Sequence, residues 1–177
     1  MRLTDKEFFD IEVQIGVTPE NPDYYNLMDA TADLIIEYAK HIIEIGAGMG
    51  TLGECLQKKG INYYGIEPNK YHSDFAKNRG VKLNGLRNYP TYCEMVVSIE
   101  VMEHLTDKQI KDYMNNINCQ YFLFSSTPYF TTTEQDEAWG HINIKSEEKW
   151  IEFFAQFGFT LEKKLTLPTE WSLLFKK

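Results

Sequence analysis

The residue types with the greatest chemical capacity fall in three short segments. The first is Glu44-Ile45-Gly46-Ala47-Gly48-Met49-Gly50, an acid followed by three glycines at alternate positions. Alternating glycines let the backbone turn tightly and let a ligand lie against bare main chain. Where such a turn opens a helix, unpaired N–H groups and partial positive charge face that ligand. The second is Glu67-Pro68, with Glu67 21 residues beyond Gly46; an acid ending the next strand can accept both hydroxyls of an adenosine ribose. The third is Glu100-Val101-Met102-Glu103-His104. On a helical turn positions i, i+3 and i+4 share one face, so Glu100, Glu103 and His104 would point together. Two carboxylates and an imidazole suit Mg²⁺, Mn²⁺ or another divalent ion that accepts oxygen and nitrogen. His141, on a later loop, could supply a fourth ligand. Without a metal, His104 or His141 could take a proton from a substrate hydroxyl or amine near neutral pH. The other two histidines, His41 and His72, are read as surface residues.

Secondary structure must bring these segments together. Apolar residues Leu27, Ala30, Leu34, Ile35 and Tyr38 recur at helical spacing, predicting one amphipathic helix over Asp23 to Lys40. Strands are predicted at His41–Gly46, Tyr63–Pro68, Val81–Leu83, Met95–Ile99 and Gln120–Ser125. Helices follow at Thr51–Lys59, closed by Gly60, and at Lys70–Arg79, closed by Gly80. Another begins at the capping box Thr106-Asp107-Lys108-Gln109, and Ser146 to Phe157 ends at Gly158. Two last strands, Thr160–Leu167 and Trp171–Lys177, flank a three-residue turn and should run antiparallel. The expected fold is α/β: a doubly wound, Rossmann-like, seven-stranded sheet, mostly parallel with one reversed strand near the C-terminus. Ligands of such sheets sit beyond the carboxyl ends of the strands where strand order reverses, here the first and fourth strands.

The 177 residues fit one domain spanning 1–177, in which residues 1–40 supply a segment and helix over the cleft. Hydrophobic residues at 43% can build a core. A net charge of −8 argues against general nucleic-acid binding, though not against one specific RNA end. There is no apolar run of about 18 residues for a membrane span, nor an apolar leader after Met1. Cys55, Cys93 and Cys119 form no CxxC pair and read as reduced, buried thiols, so a cytoplasmic protein is expected.

The glycine loop is neither a dinucleotide fingerprint, since Thr51 stands three positions beyond Gly48, nor a P-loop, since no Lys follows. With Glu67, the segment Val96 to Leu105, Ser125-Ser126-Thr127-Pro128 and the His141-to-Phe159 region, it resembles the class I S-adenosylmethionine-dependent methyltransferases from about Asp23 onward. That resemblance implies S-adenosylmethionine as cofactor. Glu44, Gly46, Ala47, Gly48 and Gly50 would hold its methionine end and ribose, Glu67 with Pro68 the ribose hydroxyls, and Ser98, Ile99 and Glu100 its other side. Where the family commonly has an acid near adenine, this chain reads Asn84-Gly85-Leu86, and Leu86 would cover the ring. Ubiquinone-pathway O-methyltransferases and small-RNA 3′-terminal 2′-O-methyltransferases carry a similar E-x-x-E-H segment and use it for a metal. Many other members carry a similar stretch without a metal, so the resemblance allows two arrangements: Mg or Mn on Glu100, Glu103, His104 and His141, or Glu100 hydrogen-bonded to the cofactor or backbone with His104 packed to orient a loop.

Little sequence is left for substrate recognition beyond the first 25 or so residues and the loop from Pro128 to Ile144. Glu134, Asp136 and Glu137 in that loop would repel a phosphate-rich substrate, which favours a small-molecule or sugar acceptor, O- or N-directed, over an RNA end. Tyr24, Tyr25, Tyr129, Phe130 and Trp139 are candidates for an apolar lid. A partner subunit could complete the site. Two rivals are a catalytically silent S-adenosylmethionine-binding subunit and a nicotinamide oxidoreductase; Thr51 and the terminal strand pair argue against the second.

Overall fold

The pivot of the sheet is β1, His41–Ile45, whose isoleucines are buried on both faces. The computed structural model describes residues 3–84, 90–127, 136 and 138–177. Among these, seven strands pair in the order β3-β2-β1-β4-β5-β7-β6. Here β2 is Asn62–Ile66, β3 Leu83–Asn84, β4 Met95–Ile99, β5 Tyr121–Ser125, β6 Thr160–Leu165 and β7 Ser172–Lys176. Ile43 faces Tyr64 of β2 on one side and Val96 of β4 on the other, both in parallel register. Strand order thus reverses between β1 and β4, as expected. Only β7 is reversed: it lies antiparallel to β5, with Leu123 opposite Leu174, and antiparallel to β6, whose register shifts between Leu161 and Lys163.

Helices cover both faces, which is why the central strands read as nearly continuous apolar runs. On one face Val96, Phe122, Phe124 and Phe175 pack beneath α5 (Asp107–Asn116) and α6 (Glu147–Ala155), with Trp150 and Phe154 at the centre. On the other, Ile42, Tyr63, Val97 and Leu174 pack beneath α2 (Pro22–Ile36), α3 (Thr51–Lys58) and α4 (Lys70–Asn78). The expected caps form: Thr106 and Gln109 close the capping box of α5, and Ser146 accepts the Lys149 N–H at the start of α6. The three cysteines are buried free thiols.

Some boundaries differ from the sequence reading. Helix α2 stops at Ile36 rather than Lys40, because the N–H groups of Glu37 and Tyr38 turn to the carbonyls of Leu34 and Ile35 and tighten the last turn. Strand β3 is two residues long and starts at Leu83 rather than Val81. An unanticipated helix, α1, spans Asp5–Ile15, opened by a capping box of Thr4 and Glu7 and closed by left-handed Gly16. No side chain of α1 is fully buried. Among the described residues, no helix is long and apolar enough to cross a membrane.

Candidate active site

The carboxyl ends of β1, β2 and β4 open onto a cavity of about 630 Å³. The loop after β1 is stitched to β2 by the Gly46 and Ala47 N–H groups, which both donate to the Ile66 carbonyl at 2.8 and 3.1 Å. Gly46 has φ 75° and touches β4's continuation so closely that a Cβ there would lie 2.3 Å from Val101 Cγ2. Gly48, at φ 52°, is the opposite case: a Cβ would meet nothing within 4 Å, because the residue borders open cavity. Its N–H donates to Glu67 Oε2 at 2.8 Å, and the Asn69 N–H donates to Glu67 Oε1 at 2.7 Å, so two main-chain donors fix the Glu67 carboxylate on the cavity wall. Burial raises the Glu67 pKa above its ordinary value, opposed by the Asn69 hydrogen bond and the charge of His72. Glu44 is more deeply enclosed. Burial raises its pKa to about 8 against a 2.5 Å hydrogen bond donated by the Tyr63 hydroxyl.

Of the residues expected around the cofactor, Glu44, Gly46, Ala47, Gly48, Glu67, Pro68, Ile99 and Glu100 line this cavity. Gly50 and Ser98 do not line it: Gly50 is the left-handed N-cap of α3, and the Ser98 side chain is sealed inside the sheet with no partner for its Oγ. Leu86 lies outside the described residues, as do Tyr129, Phe130, Glu134 and Glu137.

Residues 100–104 do not form the single helical turn that the sequence suggested. Glu100 adopts φ 53°, its N–H donates to the Ser125 carbonyl at 2.9 Å, and only Met102–His104 coil, as a 3-10 turn. The reversal directs Glu100 sideways, where Oε1 accepts hydrogen bonds from Ser125 Oγ and, at 2.9 Å, from Trp171 Nε1. Glu103, His104 and His141 instead make the cluster, with one ligand atom of each inside a 4.8 Å span. Of the four residues expected to hold a metal, the structure brings Glu103, His104 and His141 together, with Glu100 next to Glu103.

Two loops build that cluster. The Glu103 carbonyl accepts the N–H groups of Ile142 and Asn143 at 2.8 and 3.0 Å, which brings the later loop over the 3-10 turn. The Glu103 carboxyl is 1% exposed and accepts from Ser126 Oγ at 3.0 Å. Burial, then the nearby Glu100 charge, pushes its pKa up. The His104 and His141 rings stand edge to face, 4.8 Å between centroids. Asp136 does not act as a repelling surface charge. It is buried, and its Oδ1 lies 3.2 Å from His141 Nδ1. A carboxylate can only accept, so Nδ1 carries a proton and Nε2 of the neutral ring is left as the acceptor or ligand.

Helix α1 roofs the cavity. Phe8 stands edge-on to His72, His104 and Trp139 at centroid separations of 5.9, 5.9 and 5.6 Å. His72 is not a surface residue: it is 2% exposed, covered by Phe8 and Phe9, with Nε2 hydrogen-bonded to the Glu12 carboxylate. Tyr24 and Trp139 line the cavity. Tyr25 faces α3 instead, where its hydroxyl accepts from Lys58 Nζ at 3.0 Å. Sequence reasoning missed Phe8, Glu12 and the roles of His72 and Asp136. The signal for α1 was present in Thr4-x-x-Glu7, a capping-box spacing.

A model of the methyltransferase domain family matches residues 23–164. The chain belongs to the class I S-adenosylmethionine-dependent methyltransferases. It is 28% identical over 121 residues to the ubiquinone biosynthesis O-methyltransferase of Shewanella sp. strain ANA-3, covering 60% of this chain and 50% of that one. The chain therefore spans about half the length of this curated relative. Among solved structures, the magnesium protoporphyrin IX methyltransferase ChlM of Synechocystis PCC 6803 with bound SAH superposes with a TM-score of 0.66 at 13% identity, over 86% of this methyltransferase chain and 81% of that one. The mitomycin 7-O-methyltransferase MmcR gives 0.66 at 14% identity, over 89% and 55%. At such identities the likeness is one of fold, and it is the methyltransferase fold rather than the nicotinamide-binding alternative.

Proposed function

We propose that the chain transfers the methyl group of S-adenosylmethionine to an oxygen of a small-molecule or sugar acceptor. The observation that carries this reading is one continuous cavity running from the Gly48–Glu67 cradle to the Glu103–His104–His141 cluster. The cradle fits the cofactor: bare main chain at Gly48 leaves room for it, and Glu67, held by two N–H groups, retains lone pairs for ribose hydroxyls. S-adenosylmethionine supplies a methyl carbon already activated by its sulfonium charge, so the protein's work is alignment and proton removal. His141, oriented by Asp136, presents Nε2 as the base for the acceptor's proton. Phe8 and Trp139 exclude water from that end.

Glu103, His104 and His141 also fit a divalent ion such as Mg or Mn, one carboxylate and two imidazoles being an ordinary donor set. Such an ion would lower the cost of deprotonating the acceptor hydroxyl. Oxygen is favoured over nitrogen because the relatives named for ubiquinone and mitomycin are O-methyltransferases. A small acceptor agrees with the chain's −8 charge.

The test is calorimetric titration of chelator-treated protein with S-adenosylmethionine, S-adenosylhomocysteine (SAH) and NAD, repeated after Mg²⁺ or Mn²⁺ is added. Micromolar binding of the first two, none of NAD, and metal heat that disappears in Glu103→Ala support the reading. If neither adenosyl ligand binds, the proposal fails.

A further inference from the structure

Read from the sequence as a surface residue, His72 is instead buried, and with Glu44 it is one of two buried acid or histidine side chains outside the catalytic cluster and its Asp136 among the described residues. It sits in the first turn of α4, three residues past the N-cap Asn69, and lines the cavity together with Glu67 and with Glu12 of α1. Its Nε2 meets the Glu12 carboxylate of α1; a carboxylate only accepts, so that nitrogen is the donor. Phe8 and Phe9 of α1 close over the ring edge-on, at 5.9 and 5.2 Å.

The rest of the α1 attachment is thin. No α1 side chain is fully buried or belongs to either core cluster. Besides the aromatic contacts there is a 2.9 Å hydrogen bond from Asn69 Nδ2 to the Asp5 carbonyl. Asn69 is also the residue whose N–H holds Glu67. Among the described residues the polar ties of α1 to α4 end at Asn69 and His72; Asn69 holds Glu67 by its N–H, and His72 lines the cavity together with Glu67. Thr4, Phe8 and Glu12 of the α1 segment and Glu67, Asn69 and His72 beneath it are opposite walls of the same cavity.

We propose that His72 is a positioning residue that couples cofactor occupancy at Glu67 to the closure of α1, with the His72–Glu12 hydrogen bond as the latch. This rests on the reading that the Glu67 side of the cavity takes S-adenosylmethionine. A ligand touching both walls binds the closed form better than the open one, so it must tighten α1, and whatever loosens α1 must weaken the ligand. A hydrogen bond to a charged partner is worth about tenfold or more in such an equilibrium.

The experiment compares wild type, His72→Ala, His72→Gln, Glu12→Ala and the double variant His72→Ala/Glu12→Ala. Amide hydrogen exchange over residues 5–15 and SAH affinity are measured on the full chain, with thermal melts to confirm folding. In wild type SAH slows exchange across α1. In His72→Ala that protection is lost and SAH binds about tenfold more weakly. His72→Gln, which keeps a donor, restores both, and the double variant is no worse than the weaker single one. Where an acceptor turns over, KM for S-adenosylmethionine rises more than kcat falls. Unchanged SAH affinity and SAH-induced protection in His72→Ala overturn the latch, as does strict additivity of the two single changes. Failure of the underlying reading looks different: wild type does not bind SAH at all. The latch is then judged on ligand-free exchange, where equal α1 rates in wild type and His72→Ala overturn it.

Discussion

Glu44 ends the acid-glycine segment inside the protein, and its burial can be read out by a stability measurement. Its carboxyl is 4% exposed, held by Tyr63, and its pKa is raised from an ordinary 4.5 to about 8. Between those two values the folded state keeps a proton that the unfolded state has released. The folded state therefore binds more protons, and unfolding free energy must fall as pH rises. The contribution is fully present below pH 4.5, declines across the window, and is lost once pH passes about 8. The limiting slope is about 1.4 kcal/mol per pH unit, so from pH 5.5 to 7.5 this one group costs at most about 2.7 kcal/mol. Glu44→Gln keeps an acceptor for the Tyr63 hydroxyl and cannot titrate. The assay is urea unfolding of both proteins across that range, plotted as the difference between them. Glu103, also raised by burial, is common to both and cancels. The variant should gain on wild type by 1–3 kcal/mol over the two pH units, an order-of-magnitude span allowing for relaxation around the site. Parallel curves would refute the reasoning, since Glu44 would then be ionised in the folded protein.

The two glycines flanking the cradle should separate fold from binding. Gly46→Ala drives a Cβ to 2.3 Å from Val101 at φ 75° and should destabilise by about 3 kcal/mol in urea unfolding. Gly48→Ala meets no protein atom and should cost only about 1 kcal/mol, yet weaken SAH binding in a calorimetric titration. Asp136→Ala should weaken Mn²⁺ binding about 10- to 100-fold by leaving His141 Nδ1 without its acceptor, measured by titration with Mn²⁺ alone. Glu103→Gln should abolish Mn²⁺ binding while SAH affinity stays within about twofold, because the Ser126 hydroxyl can still donate to the amide oxygen.

The sheet was legible because each of its signals is local. Alternating strand and helix patterns, Gly60, Gly80 and Gly158 as stops, and the Thr106 and Ser146 caps all act within a few residues. The glycine loop and Glu67 were legible for the same reason. What escaped depends on contacts between distant segments. His72 is buried only because α1 packs on it from 60 residues away. Asp136 reads as a surface acid until the loop folds back and sets it against His141. Glu100 illustrates another limit: a helical period was extrapolated through a residue whose backbone reverses to φ 53° at the strand end, so the three-donor cluster formed without it. Helix α1 went unread although Phe8, Ile11 and Ile15 recur at helical spacing behind the Thr4–Glu7 capping box; none of its side chains is fully buried, so it adds nothing to the core that the sheet pattern predicts.

The placement of β7 between β5 and β6 sets an order on how this protein can be made. A ribosome delivers β6 before β7, yet β6 has no neighbour until β7 has arrived, since β7 alone bridges it to β5. Until then the edge of β5 stands open with Phe122 and Phe124 in it, and α6, whose Trp150 and Phe154 pack on that strand, has only part of its floor. The nascent chain thus carries an unpaired apolar strand edge until β7 has emerged, the interval in which a chaperone or a second nascent copy would find it. A stop codon placed just before Ser172 would remove an inner strand rather than trim a rim, leaving β6 unpaired and β5 held on its β4 side alone.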